Sequence, residues 1–276
     1  MKNKFFKKGI VAIILSVLAA LILLSGCQSL STGTDDSWEK VKEKGKFVLG
    51  LDESFPPMGF TDENGEIVGF DIDVAREVCS RLGIELVLQP INWDAKEQEL
   101  SSNNIDCIWN GFTITEERKQ NVLFSEPYMN NRQIIVVKED APYNTMEDLK
   151  GKKLGLQSQS SAQDALDAHE DFKKSLGEVV LFDTNTVAIM DLEKGGIDAL
   201  LVDEIVIRYY MQNKKANFKI FEKELSHEEY GIGFRKKDKK LMQKIQETLN
   251  DMAKDGTLAQ ISIKWFDEDI TTVGKK

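Results

Sequence analysis

One short stretch, residues 105–118, constrains the fold of this chain more than any other. It reads IDCIWNGFTITEER, with an apolar run from Ile105 to Trp109, then an Asn-Gly turn and a Thr-x-Thr segment. A short apolar run bounded by turn formers is typical of a parallel strand that is covered on both faces. Thr115 is placed to cap the next helix, so Arg118 should project from the first turn of that helix.

The groups that follow this strand have the chemistry needed to bind a small zwitterion. In open α/β sheets, ligands bind outside the carboxyl ends of the strands. Arg118 matches a carboxylate with two parallel donors, while the Thr113 hydroxyl and the Gly111 carbonyl can accept from an ammonium. The alternative is that Arg118 pairs with Glu116 or Glu117 on a solvated helix. The stretch alone leaves both interpretations open.

The N-terminus has the pattern of an export signal. Four lysines lie among the first eight residues, an apolar core runs from Ile10 to Leu24, and the segment LSGC ends at Cys27. An apolar run this short, followed by a polar segment, is typical of a signal peptide rather than a membrane-spanning helix. The LSGC ending resembles the bacterial lipobox; the alternative is an ordinary cleaved peptide that leaves a free cysteine. We predict a signal peptide over 1–26 and a lipid-modified Cys27 on a flexible tether, 27–37.

Charge and cysteine content restrict the partners. The formal net charge is -10, and the leader lysines offset part of a more acidic body. An acidic surface argues against nucleic acid and suits a domain held clear of an anionic membrane. Cys79 lies on the apolar face of a predicted helix and Cys107 in the buried strand, so we expect packed thiols, with a disulfide as the alternative. No Cys/His pattern has metal-ligand spacing, and we expect neither a metal nor a cofactor.

The remaining chain alternates strands and helices in two related halves. The strand 46–51, a helix from Asp71 and the strand 84–88 form successive βα units, which is typical of a doubly wound α/β lobe. The segment 146–156 echoes 38–51, so we expect a second lobe of related topology.

In the second half, polar residues again follow predicted strands. Gln157, Ser160 and Ser161 come after one strand; either serine can cap the next helix and leave N–H groups free for an anion. Asp203 follows the strand 199–202 at its carboxyl end. The alternative is that Asp203 only caps the helix after it.

Five ordered motifs carry a resemblance to a known family. They are the LSGC ending, DESFPP at 52–57, VGFDID at 68–73, GFTITEER at 111–118 and FSEPY at 124–128. From about Lys46 to Phe266 the chain resembles the amino-acid-binding family of ABC-transporter solute-binding proteins. The resemblance implies a type II periplasmic-binding-protein-like α/β fold, with two doubly wound lobes joined by a two-strand hinge. We assign 38–129 and 230–276 to lobe 1 and 130–229 to lobe 2.

The resemblance also implies roles for individual residues. Arg118 matches the arginine that clamps the ligand α-carboxylate, and Ser161 the lobe-two group that meets the same carboxylate. Asp203 matches the aspartate that accepts the α-ammonium. Thr113 and Gly111 match the contacts that lobe 1 makes with the ammonium and the carboxylate.

A second group should contact the ligand side chain. Phe55 and Trp93 match the aromatic walls of the family's cleft, and Asp52 lies where the family often senses the side chain. The alternatives are core packing for the two aromatic residues, a solvated loop charge for Asp52 and a purely turn-forming role for Asn110. The predicted ligand-binding set is Asp52, Phe55, Trp93, Asn110, Gly111, Thr113, Arg118, Gln157, Ser160, Ser161 and Asp203.

The resemblance implies a binding protein rather than an enzyme. We expect a monomer that captures a free amino acid, glutamine or cystine ahead of the basic amino acids, and delivers it to an ABC permease. Acidic ligands rank last because no cation compensates Asp52 and Glu53 in the sequence. The alternatives are a dehydratase-type enzyme on the same scaffold and a ligand-sensing surface lipoprotein. No nucleophile and base form a recognisable catalytic motif.

Overall fold

The computed structural model describes residues 34–275, and those from Asp36 onward belong to one compact unit. The predicted signal peptide, Cys27 and most of the predicted tether lie outside the described residues. The α-helices are Ser37–Lys44, Phe70–Leu82, Lys96–Ser101, Arg118–Asn121, Ser161–Ala168, Glu170–Ser175, Asn185–Lys194, Glu204–Asn213, Lys239–Asp255 and Thr257–Phe266, with 3₁₀ helices at Trp93–Ala95 and Met146–Leu149. No helix in this part of the chain has the length and apolar composition that a membrane crossing needs.

Fourteen strands in this part of the chain form three sheets. In chain order the strands are β1 Lys46–Leu51, β2 Ser54–Phe55, β3 Gly59–Thr61, β4 Ile67–Val68, β5 Glu85–Pro90, β6 Cys107–Ile108, β7 Val122–Phe124, β8 Met129–Lys138, β9 Lys153–Gln157, β10 Glu178–Phe182, β11 Ala199–Asp203, β12 Phe218–Ile220, β13 Ser226–Tyr230 and β14 Gly233–Arg235. The first sheet has the order β5-β1-β6-β14-β7, the second β10-β9-β11-β8-β12 with β13 also paired to β8, and the small third sheet β2-β3-β4.

The two large sheets share one topology around their parallel strands. In the first sheet β1 lies parallel to both β5 and β6, and in the second β9 lies parallel to both β10 and β11. In each large sheet, one strand is therefore flanked on both sides by the next two parallel strands of the same sheet. This shared order explains the echo between the two halves of the sequence.

The helices cover the sheets with apolar faces that the sequence spacing predicts. The helix Phe70–Leu82 buries Val74, Ala75 and Val78 and ends at Gly83, which has a φ of 66°. The helix Lys239–Asp255 buries residues at the three- and four-residue spacing of one helical face, namely Leu241, Ile245, Leu249 and Met252. Burial of these side chains away from water stabilises the first sheet.

Two antiparallel strands connect the large sheets. In the chain, the ten-residue β8 comes directly after β7 of the first sheet. Strand β13 leads back into β14 of the same sheet. Met129 is paired with Tyr230, and Gln133 with Ser226. This pair is the two-strand connection of the type II fold; the exact lobe bounds stay predictions.

The structure corrects the prediction for the strand 105–109. Only Cys107–Ile108 form β6, and β6 is parallel to β1 on one side but antiparallel to β14 on the other. Its antiparallel neighbour comes from residues more than a hundred positions later, which a local pattern does not reveal. Cys79 and Cys107 are both buried free thiols, as predicted, and burial raises the pKa of each.

Candidate functional site

The predicted ligand-contact residues line one cavity between the two large sheets. They follow the carboxyl ends of parallel strands in both large sheets, where ligands of open α/β sheets bind. All eleven lie there: Asp52, Phe55, Trp93, Asn110, Gly111, Thr113, Arg118, Gln157, Ser160, Ser161 and Asp203. Their contact with a ligand stays a prediction.

Arg118 lines this cavity from the first residue of a one-turn helix. Its backbone N–H donates to Oγ1 of Thr115 over 3.1 Å, the bond that the prediction expected, although Glu117 and not Thr115 occupies the N-cap position of this helix. Its Nη1 donates to the carbonyl oxygen of Thr113 over 2.9 Å, and its guanidinium lies 4.7 Å from the ring centre of Phe112. These contacts hold the guanidinium in one orientation and leave part of its donor capacity for the cavity.

Arg118 does not have the surroundings of a solvated helix residue. It is 6% exposed, whereas Glu116 is exposed and pairs with Lys119 over 2.7 Å. The acidic group nearest to the guanidinium among the described ion pairs is Asp164, at 3.9 Å. Burial lowers the pKa of Arg118, and the charges of Asp164 and Glu228 oppose that shift.

Asp203 supplies a buried carboxylate on the side of the second sheet. It precedes the helix Glu204–Asn213, but its side chain makes no capping hydrogen bond there. Its Oδ1 instead accepts from Nδ2 of Asn131 over 2.7 Å and from the Tyr230 hydroxyl over 2.6 Å. Burial, followed by the nearby charge of Glu228, raises the pKa of Asp203 to about 7. A cation in the cavity would favour the ionised form.

The turn at Gly111 depends on another buried carboxylate, that of Asp71. Gly111 has a φ of 57°, and its N–H donates to Oδ2 of Asp71 over 2.7 Å. The Tyr128 hydroxyl donates to the same oxygen over 2.9 Å. A Cβ at Gly111 would lie 2.8 Å from the ring of Phe55, so the turn and the aromatic wall fit closely together.

Trp93 and Phe55 form apolar walls of the cavity. The Trp93 ring meets Phe112 edge-on, with 5.8 Å between ring centres, and the ammonium of Lys96 lies 5.1 Å from the Trp93 ring centre. Nζ of Lys96 donates to the carbonyl oxygens of Trp93 and Gln159 over 3.1 and 2.9 Å. Burial lowers the pKa of Lys96 to about 8. Both aromatic residues are nearly buried, yet each contributes surface to the cavity.

Asp52 and Gln157 provide polar groups at the same cavity. Nε2 of Gln157 donates to Oδ2 of Asp52 over 2.8 Å, and the backbone N–H of Ser54 donates to Oδ1 over 2.9 Å. The backbone N–H of Asp52 donates to Oδ1 of Asn110 over 3.0 Å. Burial raises the pKa of Asp52, while the bond from Gln157 opposes the shift.

A comparison with known proteins decides the family. Residues 47–268 match the sequence profile of bacterial extracellular solute-binding proteins, family 3. The chain belongs to this family. The L-cystine-binding protein TcyJ of Escherichia coli (strain K12) is 32% identical over 254 residues, which cover 91% of this chain and 94% of TcyJ.

Solved structures of solute-binding proteins agree with the fold. A substrate-binding protein of an ABC uptake transporter from Streptococcus pneumoniae, solved with bound histidine, is 38% identical; the match covers 87% of this chain and 100% of that one with a TM-score of 0.84. The ancestral amino-acid-binding protein AncCDT-1, a precursor of cyclohexadienyl dehydratase, is 31% identical; the match covers 83% of this chain and 98% of that one with a TM-score of 0.76.

The serines of this solute-binding protein do not cap the helix as predicted. Ser160 occupies the N-cap position of the helix Ser161–Ala168 without a side-chain capping bond. Its hydroxyl donates to the carbonyl oxygen of Gln157 over 2.7 Å, which fixes the preceding loop instead. Oγ of Ser161 lies 3.1 Å from Oγ1 of Thr113, across the cavity lining.

Sequence reasoning missed several buried polar residues of this solute-binding protein. Asn131 and Gln133 on β8, Glu228 on β13 and Asp71 on the first long helix are buried and bonded to cavity residues. The available signal was the two-residue spacing of 131 and 133, which places both side chains on one face of a strand. It did not show that this face is buried.

Proposed function

We propose that this chain is the lipid-anchored, extracytoplasmic substrate-binding protein of an amino-acid ABC importer, which closes over a free polar L-amino acid and delivers it to the permease. One observation carries the proposal: Arg118, on the helix between β6 and β7 of the first sheet, and Asp203, on β11 of the second, line the same cavity. Among residues 34–275 they form no ion pair with each other, and Asp203 is held by the neutral groups of Asn131 and Tyr230.

An amino acid supplies the two charges that this cavity lacks. Its carboxylate matches the guanidinium of Arg118, and its ammonium matches Asp203 together with the oxygen of Thr113. Without such a ligand, burying both groups costs hydration that neutral hydrogen bonds replace only in part. Ligand binding therefore stabilises the arrangement in which the two sheets share the cavity.

The side-chain end of the cavity favours ligands that donate hydrogen bonds. Asp52 offers carboxylate oxygens there, and no described residue forms an ion pair with it. Phe55 and Trp93 suit an aliphatic stem. The match to a cystine-binding protein and to a histidine-bound structure supports a polar ligand. We rank glutamine and cystine first, then basic amino acids, and place acidic ones last because Asp52 would repel a second carboxylate.

Bonds between segments of the two halves support a closed arrangement. Gln157 donates to Asp52, as described above, and Lys96 donates to the carbonyl oxygen of Gln159 over 2.9 Å. Oγ1 of Thr186 donates to the carbonyl oxygen of Ser54 over 3.0 Å. Closing of this kind would sequester the ligand and create a surface that the permease distinguishes from the open form.

A ligand screen followed by calorimetry tests the proposal. The unfolding temperature of residues 36–276 is measured with each L-amino acid and with cystine, because a tightly bound ligand raises this temperature by mass action. Arg118→Ala should reduce the binding free energy of the best ligand by about 2–4 kcal/mol, which is a loss of affinity of roughly 30- to 700-fold. Lys119→Ala, at an exposed position of the same helix, is the matched control. Stabilisation by no amino acid, or near-wild-type binding by Arg118→Ala, would contradict the proposal.

The lipid anchor and the transport role need the full chain. In its bacterial host, the wild type should incorporate labelled fatty acid and fractionate with membranes, whereas Cys27→Ala should do neither. Deletion should reduce uptake of the ligand found in the screen. Unlabelled wild-type protein would refute the anchor, and unchanged uptake would favour a sensing role.

The similarity to a dehydratase precursor supports one competing function. AncCDT-1 is named as a precursor of cyclohexadienyl dehydratase, so this scaffold is compatible with an enzyme. Prephenate and arogenate are therefore incubated with the purified protein. We expect no turnover above the rate without protein; turnover that is lost in a cavity variant would replace the binding function with catalysis.

A further inference from the structure

Glu228 is a buried carboxylate that the predicted ligand contacts do not include. It lies on β13 opposite Asn131 of β8 and is 7% exposed. Within the described chain it forms no ion pair. A carboxylate that is buried without a cation needs several hydrogen-bond donors, and the identity of those donors indicates its role.

One oxygen of Glu228 collects donors from three parts of the fold. Its Oε2 lies 3.0 Å from Oγ1 of Thr113, which follows β6 of the first sheet, and 3.3 Å from Oγ of Ser161, which follows β9 of the second. Asn131 and Gln133 on β8 donate to it over 2.9 and 3.1 Å. Glu228 thus joins cavity hydroxyls from both halves at a single atom.

This arrangement determines which way the Thr113 hydroxyl points. A carboxylate oxygen accepts hydrogen bonds, so Thr113 donates its proton to Glu228 and turns its lone pairs toward Ser161 Oγ, 3.1 Å away, and the cavity. An ammonium has donors and no acceptor, so a hydroxyl oriented in this way suits it. Nδ2 of Asn131 also bridges Glu228 and Oδ1 of Asp203, over 2.9 and 2.7 Å, and so fixes the second ammonium acceptor.

We propose that Glu228 is the positioning residue of the ligand's α-ammonium site, because it orients the Thr113 hydroxyl and, through Asn131, the Asp203 carboxylate. The inference rests on the proposed amino-acid-binding function and adds a residue that does not touch the ligand. Glu228 can bond to both hydroxyls only when Thr113 and Ser161 lie next to each other. The formation of the ammonium site is therefore linked to closure of the two halves.

The charge of Glu228 gives this role a pH signature. The charged and titratable groups around it are Asp203 on β11, Tyr230 on β13 and Arg118 on its short helix. Its negative charge raises the pKa of Asp203. Replacing Glu228 with glutamine removes that charge, so Asp203 should ionise at lower pH and the decline of ammonium binding on acidification should move to lower pH.

Calorimetry with the tightest-binding amino acid, over a range of pH, tests the proposal. The variants are Glu228→Ala, which removes the acceptor, and Glu228→Gln, whose amide oxygen can keep it. Glu229→Gln is the matched control, since Glu229 is the next residue on β13 and is exposed. We expect at least about a tenfold loss for Glu228→Ala, a smaller loss with a downward shift of the acid limb for Glu228→Gln, and no change for the control.

The outcomes separate this inference from the function on which it rests. If the wild type binds no amino acid, the proposed function fails. If the wild type binds but Glu228→Ala stays within about twofold of it, the positioning role fails alone. Equal losses in both variants with an unmoved acid limb would also overturn it, because that result indicates structural damage. If Glu228→Ala does not fold, the proposal is tested by Glu228→Gln alone, from the pH at which its ligand affinity falls on acidification.

Discussion

The carboxylate of Asp71 holds the backbone N–H of Gly111 at 2.7 Å, at the turn where the predicted ligand contacts of the first sheet begin. The partners are forty positions apart in the chain, and both are buried. Burial raises the pKa of Asp71 from 3.8 to about 7. This carboxyl group therefore affects both the geometry of the site and the pH dependence of folding.

The first prediction concerns that pH dependence. Between pH 3.8 and about 7 the folded protein keeps a proton on Asp71 that the unfolded chain releases. The resulting stabilisation is complete below the lower value and is lost as the pH rises through the higher one. Asp71→Asn should flatten this part of the pH profile, as measured by urea unfolding of the ligand-free protein at several pH values.

An exposed carboxylate provides the opposite control. Backbone N–H groups of Glu66, Asn64 and Gly65 lower the pKa of Asp62, so its contribution is present above 3.8 and is lost on acidification. Asp62→Asn should therefore change the slope in the other direction below pH 3.8 and leave the slope between pH 3.8 and about 7 unaltered. The same slope in Asp71→Asn and the wild type would contradict the assignment to Asp71.

The second prediction tests the turn at Gly111. Its φ of 57° costs a residue with a Cβ about 1–2 kcal/mol. Gly111→Ala also places a Cβ 2.8 Å from Phe55, so stability and ligand affinity should both fall. Gly45→Ala is the control, since Gly45 has a φ of 67° but no atom within 4 Å of the added Cβ. It should lose stability alone, and a normal affinity in Gly111→Ala would refute the predicted close fit.

The third prediction concerns ligand choice. Asp52→Asn removes the negative charge but keeps a similar shape. The binding free energy of cationic ligands should therefore fall by about 1.5–3 kcal/mol more than that of glutamine. The ratio of dissociation constants for arginine and glutamine measures the effect. Glu53→Gln is the control, because Glu53 is exposed and bonds to Thr61 over 3.1 Å. An unchanged ratio in Asp52→Asn would show that Asp52 does not sense the side chain.

The fourth prediction concerns aromatic contacts outside the cavity. The ring centres of Tyr209, on a helix of the second half, and Phe60, on β3, are 5.6 Å apart. An aromatic pair of this kind contributes about 0.5–1.5 kcal/mol, so Tyr209→Ala should weaken ligand binding several-fold by favouring the open form. Tyr209→Phe keeps the ring and should keep the affinity. Small-angle scattering should show a more extended ligand-free ensemble for Tyr209→Ala; equal affinity and scattering would contradict a role in closure.

Local patterns in the sequence predicted much of the scaffold. The Thr115 hydroxyl accepts from the backbone N–H of Arg118, the αL position of Gly83 ends its helix, and polar residues past the strand ends surround one cavity. These features depend on residues a few positions apart, so their physical causes lie within the local chain. The leader and the lipid-modified Cys27 stay predictions because they lie outside the described residues.

The sequence by itself therefore determined the fold class, the family and a set of cavity residues, because strand ends, caps and turns are local. Only the tertiary structure decided that β14 lies beside β6 and that Asp71 and Glu228 are buried acceptors at the site. Two partners of Glu228, Ser161 and Thr113, lie 67 and 115 positions away from it in the chain. Whether a carboxylate is solvated or buried depends on such distant neighbours, which the folded chain alone brings together.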